Sequence, residues 1–204
     1  MKLVLLCTEE QKAELLEKKT NEGNEFIFCD EQSFTETDGD VFFDLVNEAE
    51  SPYKGGKPLF INAVTTTLKQ LPNNCIRINA WNGFLNRETI EIVATEALQH
   101  KAKETIEALG WKLQFAPDEP GMIAPRIIAM IINEAYFGLE DGISTKDEID
   151  TAMKLGTNYP YGPFEWSEKI GLQKILLLLE RLNEDDKRYT PSNSLIKEAN
   201  GTAA

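Results

Sequence analysis

A short apolar run, residues 2–7 (KLVLLC), leads directly into Thr8-Glu9-Glu10-Gln11, and that turn is the first place where chemistry could sit. Where an opening strand feeds a helix, glycines let the backbone approach a dinucleotide's pyrophosphate and offer it free N–H groups. This turn has no glycine, and it puts two carboxylates where phosphates would dock. Thr8 and Gln11 have capping-box spacing, so they are expected to occupy the helix's free N–H groups themselves. No cofactor is expected from these residues. Asp30 follows the second apolar run, where a ribose-binding acid could be placed, but without the glycines it reads as a solvated turn residue.

The other candidates are sparse. His100 is the single imidazole, between Gln99 and Lys101 on the polar side of its segment, and reads as a solvated residue. Cys7, Cys29 and Cys75 are widely spaced and lie in or beside apolar runs, so they read as reduced, buried bystanders. One histidine and no ligand cluster leave no metal site. Glu91 stands out within Thr89-Ile90-Glu91-Ile92-Val93: on an alternating strand it faces away from Ile90 and Ile92. Trp81, Phe84 and Trp111 read as core.

These residues must be carried by two kinds of unit. The first half alternates short buried runs with helical or loop segments: 2–7, 26–29 (FIFC), 41–46 (VFFDLV), 58–63 (PLFINA), 75–80 (CIRINA), 90–94 and 111–116 (WKLQFA). That pattern predicts a mainly parallel sheet. A helix from Thr8 uses Leu15 and Leu16. A second, over 96–109, lines up Ala94, Leu98, Ala102, Thr105, Ile106 and Leu109 and stops at Gly110. Pro117-Asp118-Glu119-Pro120-Gly121 is the strongest punctuation in the chain and sets a boundary between 1–117 and 118–204.

Beyond it every segment reads as helical. Residues 122–139 are apolar on nearly every side. Ser144 or Thr145 caps a helix that buries Ile149, Ala152, Met153 and Leu155 and closes at Gly156. A rigid loop (Tyr159 to Pro163), a break at Gly171, an apolar helix over 172–182 and a last helix over 192–199 complete the order.

The net charge of -13 disfavours nucleic acid and opposes anionic cofactors at long range. The longest apolar stretch, 127–132, falls far short of the ~20 residues that span a bilayer, so no membrane partner is expected. Reduced thiols without a leader sequence point to the cytoplasm.

An ordered series of landmarks carries a resemblance. Asp118-x-Pro120-Gly121 is followed by Arg126, Asn133-Glu134-Ala135, Glu140-x-Gly142 and Asp147-x-Ile149-Asp150. Ala152-Met153-Lys154-Leu155-Gly156, Pro160, Gly162-Pro163-Phe164, Ile170-Gly171-Leu172 and Tyr189-x-Pro191-Ser192 come next. Over 118–199 this resembles the C-terminal domain of the 3-hydroxyacyl-CoA dehydrogenases. The implied fold is α/β: a shortened Rossmann-like, mainly parallel sheet domain, then an all-helical domain like the C-terminal domain of 6-phosphogluconate dehydrogenase.

The family's chemistry is hydride transfer between NAD and a 3-hydroxyacyl-CoA, in fatty acid metabolism. The resemblance implies an acyl-CoA between the two domains and a homodimer through the helical one. It also implies a histidine base held by a glutamate, with a serine and an asparagine at the reacting oxygen. Here Asn79, in Asn79-Ala80-Trp81-Asn82-Gly83, stands where the histidine should be, and an amide is no base near neutral pH. Val64 replaces the serine in Asn62-Ala63-Val64-Thr65, Pro125 replaces the asparagine before Arg126, and Glu91 matches the glutamate. Asn62 and Asn82 remain as cleft-lining polar residues. The expectation is a dehydrogenase-like pseudoenzyme that keeps acyl-CoA or another small anion in its interdomain cleft. The alternative is an active NAD-dependent oxidoreductase with an altered site.

Overall fold

The computed structural model describes residues 1–201. The chain divides into a unit spanning Met1–Ile123 and a second beginning at Ala124. The first is an α/β unit whose elements run β1 (Lys2–Leu6), α1 (Glu9–Glu17), β2 (Glu25–Cys29), α2 (Glu31–Glu36), β3 (Val41–Asp44), β4 (Leu59–Ile61), β5 (Cys75–Ile78), β6 (Thr89–Val93), α3 (Glu96–Ala108) and β7 (Lys112–Phe115). They form one seven-stranded sheet in the order β2-β1-β3-β4-β5-β6-β7. All pairings are parallel except β5 with β6, which is antiparallel. The chain therefore doubles back after β5, through a turn over residues 79–88, before rejoining the parallel direction at β7.

The apolar runs form strands because both faces of the sheet are covered. One face packs Leu3, Leu5, Phe43, Phe60, Ile76 and Ile78 under α1 and α3, which contribute Leu15, Ala102 and Ile106. The opposite face gathers Val4, Leu6, Phe42, Leu59 and Ile61 with Phe34 of α2. This α2 was not anticipated. It starts because Asp30 caps it, accepting the Ser33 N–H at 2.8 Å, while Ser33 Oγ accepts the Asp30 N–H. Leu16, expected on the buried face of α1, is 63% exposed.

The Pro/Gly segment belongs to the first unit, not to the start of the second. Arg77 reaches it from β5: its Nη1 pairs with Asp118 at 2.7 Å and its Nη2 donates to the Glu119 carbonyl at 3.1 Å. Gly121 N–H donates to the Val64 carbonyl at 2.8 Å. Gly121 and Met122 then take positive φ (79° and 45°), which turns the chain before the next helix. Anchoring, not composition, moves the division to 123/124.

The second unit is helical: α4 (Ala124–Glu140), α5 (Lys146–Thr157), α6 (Pro163–Ile170), α7 (Leu172–Asn183) and α8 (Asn193–Ala199). Its core comprises Ile128, Ile132 and Tyr136 of α4, Phe164 and Trp166 of α6, Ile175, Leu176, Leu178, Leu179 and Leu182 of α7, and Leu195 of α8. Asn133 clamps the α7–α8 connection, its amide bonding Thr190 O and the Ser192 N–H, each at 2.9 Å. Thr145 caps α5 as expected, but Gly156 does not end it: Asn158, left-handed at φ 56°, does. The expected buried face of α5 is also corrected, since Leu155 is 84% exposed and Ala152 lies at the surface. Asp150 turns inward instead, because its carboxylate accepts the N–H groups of Phe164 (2.8 Å) and Glu165 (3.1 Å) at the start of α6.

Candidate functional site

In an open α/β sheet the natural ligand site lies outside the carboxyl ends of the strands, where consecutive crossovers leave in opposite directions. Here that point lies between β1 and β3. Thr8 Oγ1 accepts the Gln11 N–H at 3.2 Å and Gln11 Oε1 accepts the Thr8 N–H at 2.9 Å, so the capping box forms as expected. The Gln11 amide then does more. Its Nε2 donates to Leu45 O at 2.7 Å and Ala80 O at 2.9 Å, linking α1 to the loops after β3 and β5. Asn62 Nδ2 bonds the same Leu45 carbonyl at 3.0 Å, and Asn62 Oδ1 accepts the Ala80 N–H at 2.9 Å. Two buried amides thus tie α1 and the end of β4 to the loops that follow β3 and β5.

These residues do not fit a dinucleotide. The helix start that would face pyrophosphate is satisfied by its own box and flanked by exposed Glu9 and Glu10. Asp30 caps α2, and the Ser33 hydroxyl and N–H hold its carboxyl below the usual range. Its side chain serves the helix it starts.

Two of the candidate residues are brought together. Asn79 follows β5, is 2% exposed, and donates its backbone N–H to the Glu91 carbonyl on β6 at 3.1 Å. Its Oδ1 accepts the Trp81 N–H at 3.4 Å. Glu91 is half-buried, and its Oε2 accepts the Ile123 N–H at 3.4 Å. Asn82 is half-buried in the turn beyond. Val64 is fully buried, its N–H on Glu48 Oε1 at 3.2 Å and its carbonyl on Arg77 Nη2 at 3.1 Å. Pro125 is buried in the first turn of α4, in the other unit. An amide, a valine and a proline exchange no protons, which leaves Glu91 as the one acid–base group of the set.

The remaining candidates are inert in place. His100 is exposed on α3. Burial pushes the thiols of Cys7 and Cys75 up to about 11, with Asp44 adding to the effect at Cys75. Trp81, Phe84 and Trp111 are core residues. Among the described residues no three His, Cys, Asp or Glu side chains converge on a metal position. No described helix is long and apolar enough to cross a membrane.

Sequence reasoning missed the buried charges, Arg77 and Glu14 among them. Arg77 is fully buried in β5 and donates to Ala63 O, Val64 O and Glu119 O besides pairing with Asp118. Its lone charge inside CIRINA was the available signal. Glu14, 7% exposed, accepts the N–H groups of Gly83 and Leu85 and fixes the turn after Asn79.

Residues 121–200 match the family model for the 3-hydroxyacyl-CoA dehydrogenase C-terminal domain. The 3-hydroxyadipyl-CoA dehydrogenase of Escherichia coli (strain K12) is 49% identical over 89 residues, 43% of this chain and 18% of that protein. A 3-hydroxybutyryl-CoA dehydrogenase of Bradyrhizobium diazoefficiens is 33% identical over 132 residues, 62% of this chain and 45% of that one. The chain thus spans between about a fifth and a half of the length of the curated relatives it matches. A crystal structure of 3-hydroxybutyryl-CoA dehydrogenase from Escherichia coli K12 superposes at a TM-score of 0.54 with 37% identity, over 61% of this chain and 27% of that one. That of (S)-3-hydroxybutyryl-CoA dehydrogenase from Ralstonia eutropha gives 0.70 over 98% of this chain and 93% of that one, at 15% identity, a likeness of fold. The ordered landmarks and the matched residues thus identify 121–200 as a 3-hydroxyacyl-CoA dehydrogenase C-terminal domain, and the first unit shares the Rossmann-like fold of the solved dehydrogenases.

Proposed function

We propose that this protein is a member of the family that has given up NAD-dependent dehydrogenation and acts as a dimeric binding protein for acyl-CoA or a related small anion. The observation that carries the reading is the turn after β1, where Thr8 and Gln11 take up the free N–H groups of α1 and the Gln11 amide is spent on Leu45 O and Ala80 O. The second support is chemical. A positioned general base is worth about a hundred- to ten-thousand-fold in rate, and an amide at Asn79 supplies none of it. Val64 presents a methyl group where a developing oxyanion would need a donor. The acyl-CoA part rests on the relatives, whose names are those of dehydrogenases acting on 3-hydroxyacyl-CoA compounds. The homodimer is supported by Ile143 and Leu155, 74% and 84% exposed before and within α5.

Titration calorimetry with NADH and with butyryl-CoA tests the reading directly. Butyryl-CoA binding without NADH binding is the expected outcome. Low-micromolar NADH binding, with turnover of 3-hydroxybutyryl-CoA at about one per second or faster, would make the chain an active oxidoreductase instead. Asn79→His is expected to recover little activity, because the glycine-free turn after β1 and Val64 remain.

A further inference from the structure

Parallel neighbours in a sheet are usually joined by a helical crossover, yet residues 45–58 carry β3 to β4 without a helix or a strand. Irregular connections above about 12–15 residues are uncommon in compact domains and usually functional. This one is pinned. Glu48 accepts the N–H groups of Val64 and Thr65 at 3.2 and 3.0 Å and the Thr65 hydroxyl at 2.7 Å. Lys57 pairs with Asp38 at 2.9 Å, and the Tyr53 ring stacks on Phe42 with centroids 3.9 Å apart.

Where the crossover helix would have packed there is a cavity of about 280 Å³. Leu59, Ile61 and Pro72 supply apolar wall, and the covering segment supplies Ser51 and Lys54. Ser51 is 7% exposed; its Oγ accepts the Tyr53 N–H at 3.3 Å, and its hydroxyl proton meets no acceptor among the described residues. Lys54 Nζ donates to the Ser51 carbonyl at 2.9 Å and pairs with no carboxylate among the described residues. An ammonium has three donors, so two are unspent. The Cys75 thiol, on the same cavity, is kept protonated by burial. Glu50, exposed at the mouth, is the one carboxylate on the lining. Buried Ser51 and Cys75 thus bring a hydroxyl and a thiol to the lining, and Lys54, exposed like Glu50, brings its ammonium to the mouth.

We propose that this cavity is a binding site for a short-chain carbonyl compound, its oxygen received by Ser51 Oγ and Lys54 Nζ and its hydrocarbon body lying on Leu59, Ile61 and Pro72. The volume falls just below the roughly 300–1,000 Å³ of sites for drug-sized ligands, which limits the guest to a few carbons. The site lies apart from the Gln11 crevice and stands or falls independently of the function proposed above.

The test uses the full chain, 15N-labelled, titrated to about 50 mM with butyramide, butyrate and butylammonium while amide resonances are followed. Saturable shifts at Ser51, Tyr53, Lys54 and Leu59 are expected with butyramide or butyrate, and none with butylammonium, which has the same body but only donors. Whichever of the first two binds more tightly decides between a neutral carbonyl and a carboxylate. Ser51→Ala should weaken binding by about threefold or more, and Ala49→Trp, at an exposed position on the rim, should block it. No saturable shift with either acceptor, equal shifts with butylammonium, or binding unchanged in both variants would overturn the proposal.

Discussion

At the residue scale, Gln11 joins α1 to the loops after β3 and β5 through one buried amide. Gln11→Ala is expected to lower unfolding free energy by about 1–3 kcal/mol, because Ala80 O loses its buried donor while Leu45 O keeps Asn62. Gln11→Glu should cost more, since a carboxylate would face two carbonyls. Urea denaturation of the three proteins ranks them, and a neutral Gln11→Glu would refute the assignment. The capping box was legible, because Thr8 and Gln11 sit three residues apart. The amide's other end was not: its partners lie 34 and 69 residues along the chain, and no local pattern reports such distances. Titration gives a second prediction. Thiols raised from 9.0 to about 11 at Cys7 and Cys75 hold protons that the unfolded chain has lost, so stability should fall as pH rises from about 9 to 11. Lys18 works in the opposite sense. Partial burial lowers its ammonium to about 8, so between about 8 and 10.5 the unfolded chain binds more protons and stability gains. Denaturation midpoints against pH should therefore fall more steeply in Lys18→Met than in the parent, and equal slopes would remove Lys18 from the balance.

At the scale of elements, the inner strands were readable because β1, β3, β4 and β5 are short runs buried on two faces. The reversal at β5–β6 was not, since direction leaves no mark on such runs. Helix α5 is the instructive failure. Its period of apolar residues is real, but periodicity alone does not say which partner they face. The rotation is set by Asp150 and by Gly162, where an added Cβ would fall 2.5 Å from the Asp150 Cα. Gly162→Ala must therefore push α6 off α5 or break the Asp150 cap. A loss of about 1–3 kcal/mol is expected, from overpacking against backbone that cannot yield. Thermal unfolding of that variant, beside Gly156→Ala, measures it: Gly156 has open space around it, so only the first should be destabilised.

At the scale of the whole molecule, charge and exposed apolar surface pull against each other. Each chain carries a net charge of -13, so pairing two of them is opposed by repulsion that salt screens, with a Debye length of ~10 Å at 0.1 M. Sedimentation at micromolar concentration should show a dimer that weakens at low ionic strength and is lost in Leu155→Glu. A 23.0 kDa species under every condition would count against it. The buried guanidinium of Arg77 has a consequence for anyone dividing the molecule. A cut at the prolines, which the sequence invites, would strip that buried cation of its Asp118 counter-ion and the Glu119 carbonyl and leave it only the Ala63 and Val64 carbonyls. An excised α/β piece ending at Ile123 keeps both partners, whereas one ending at Ala116 begins life with an orphaned ion. The seam of this protein lies past its punctuation, beyond the two residues its own arginine holds.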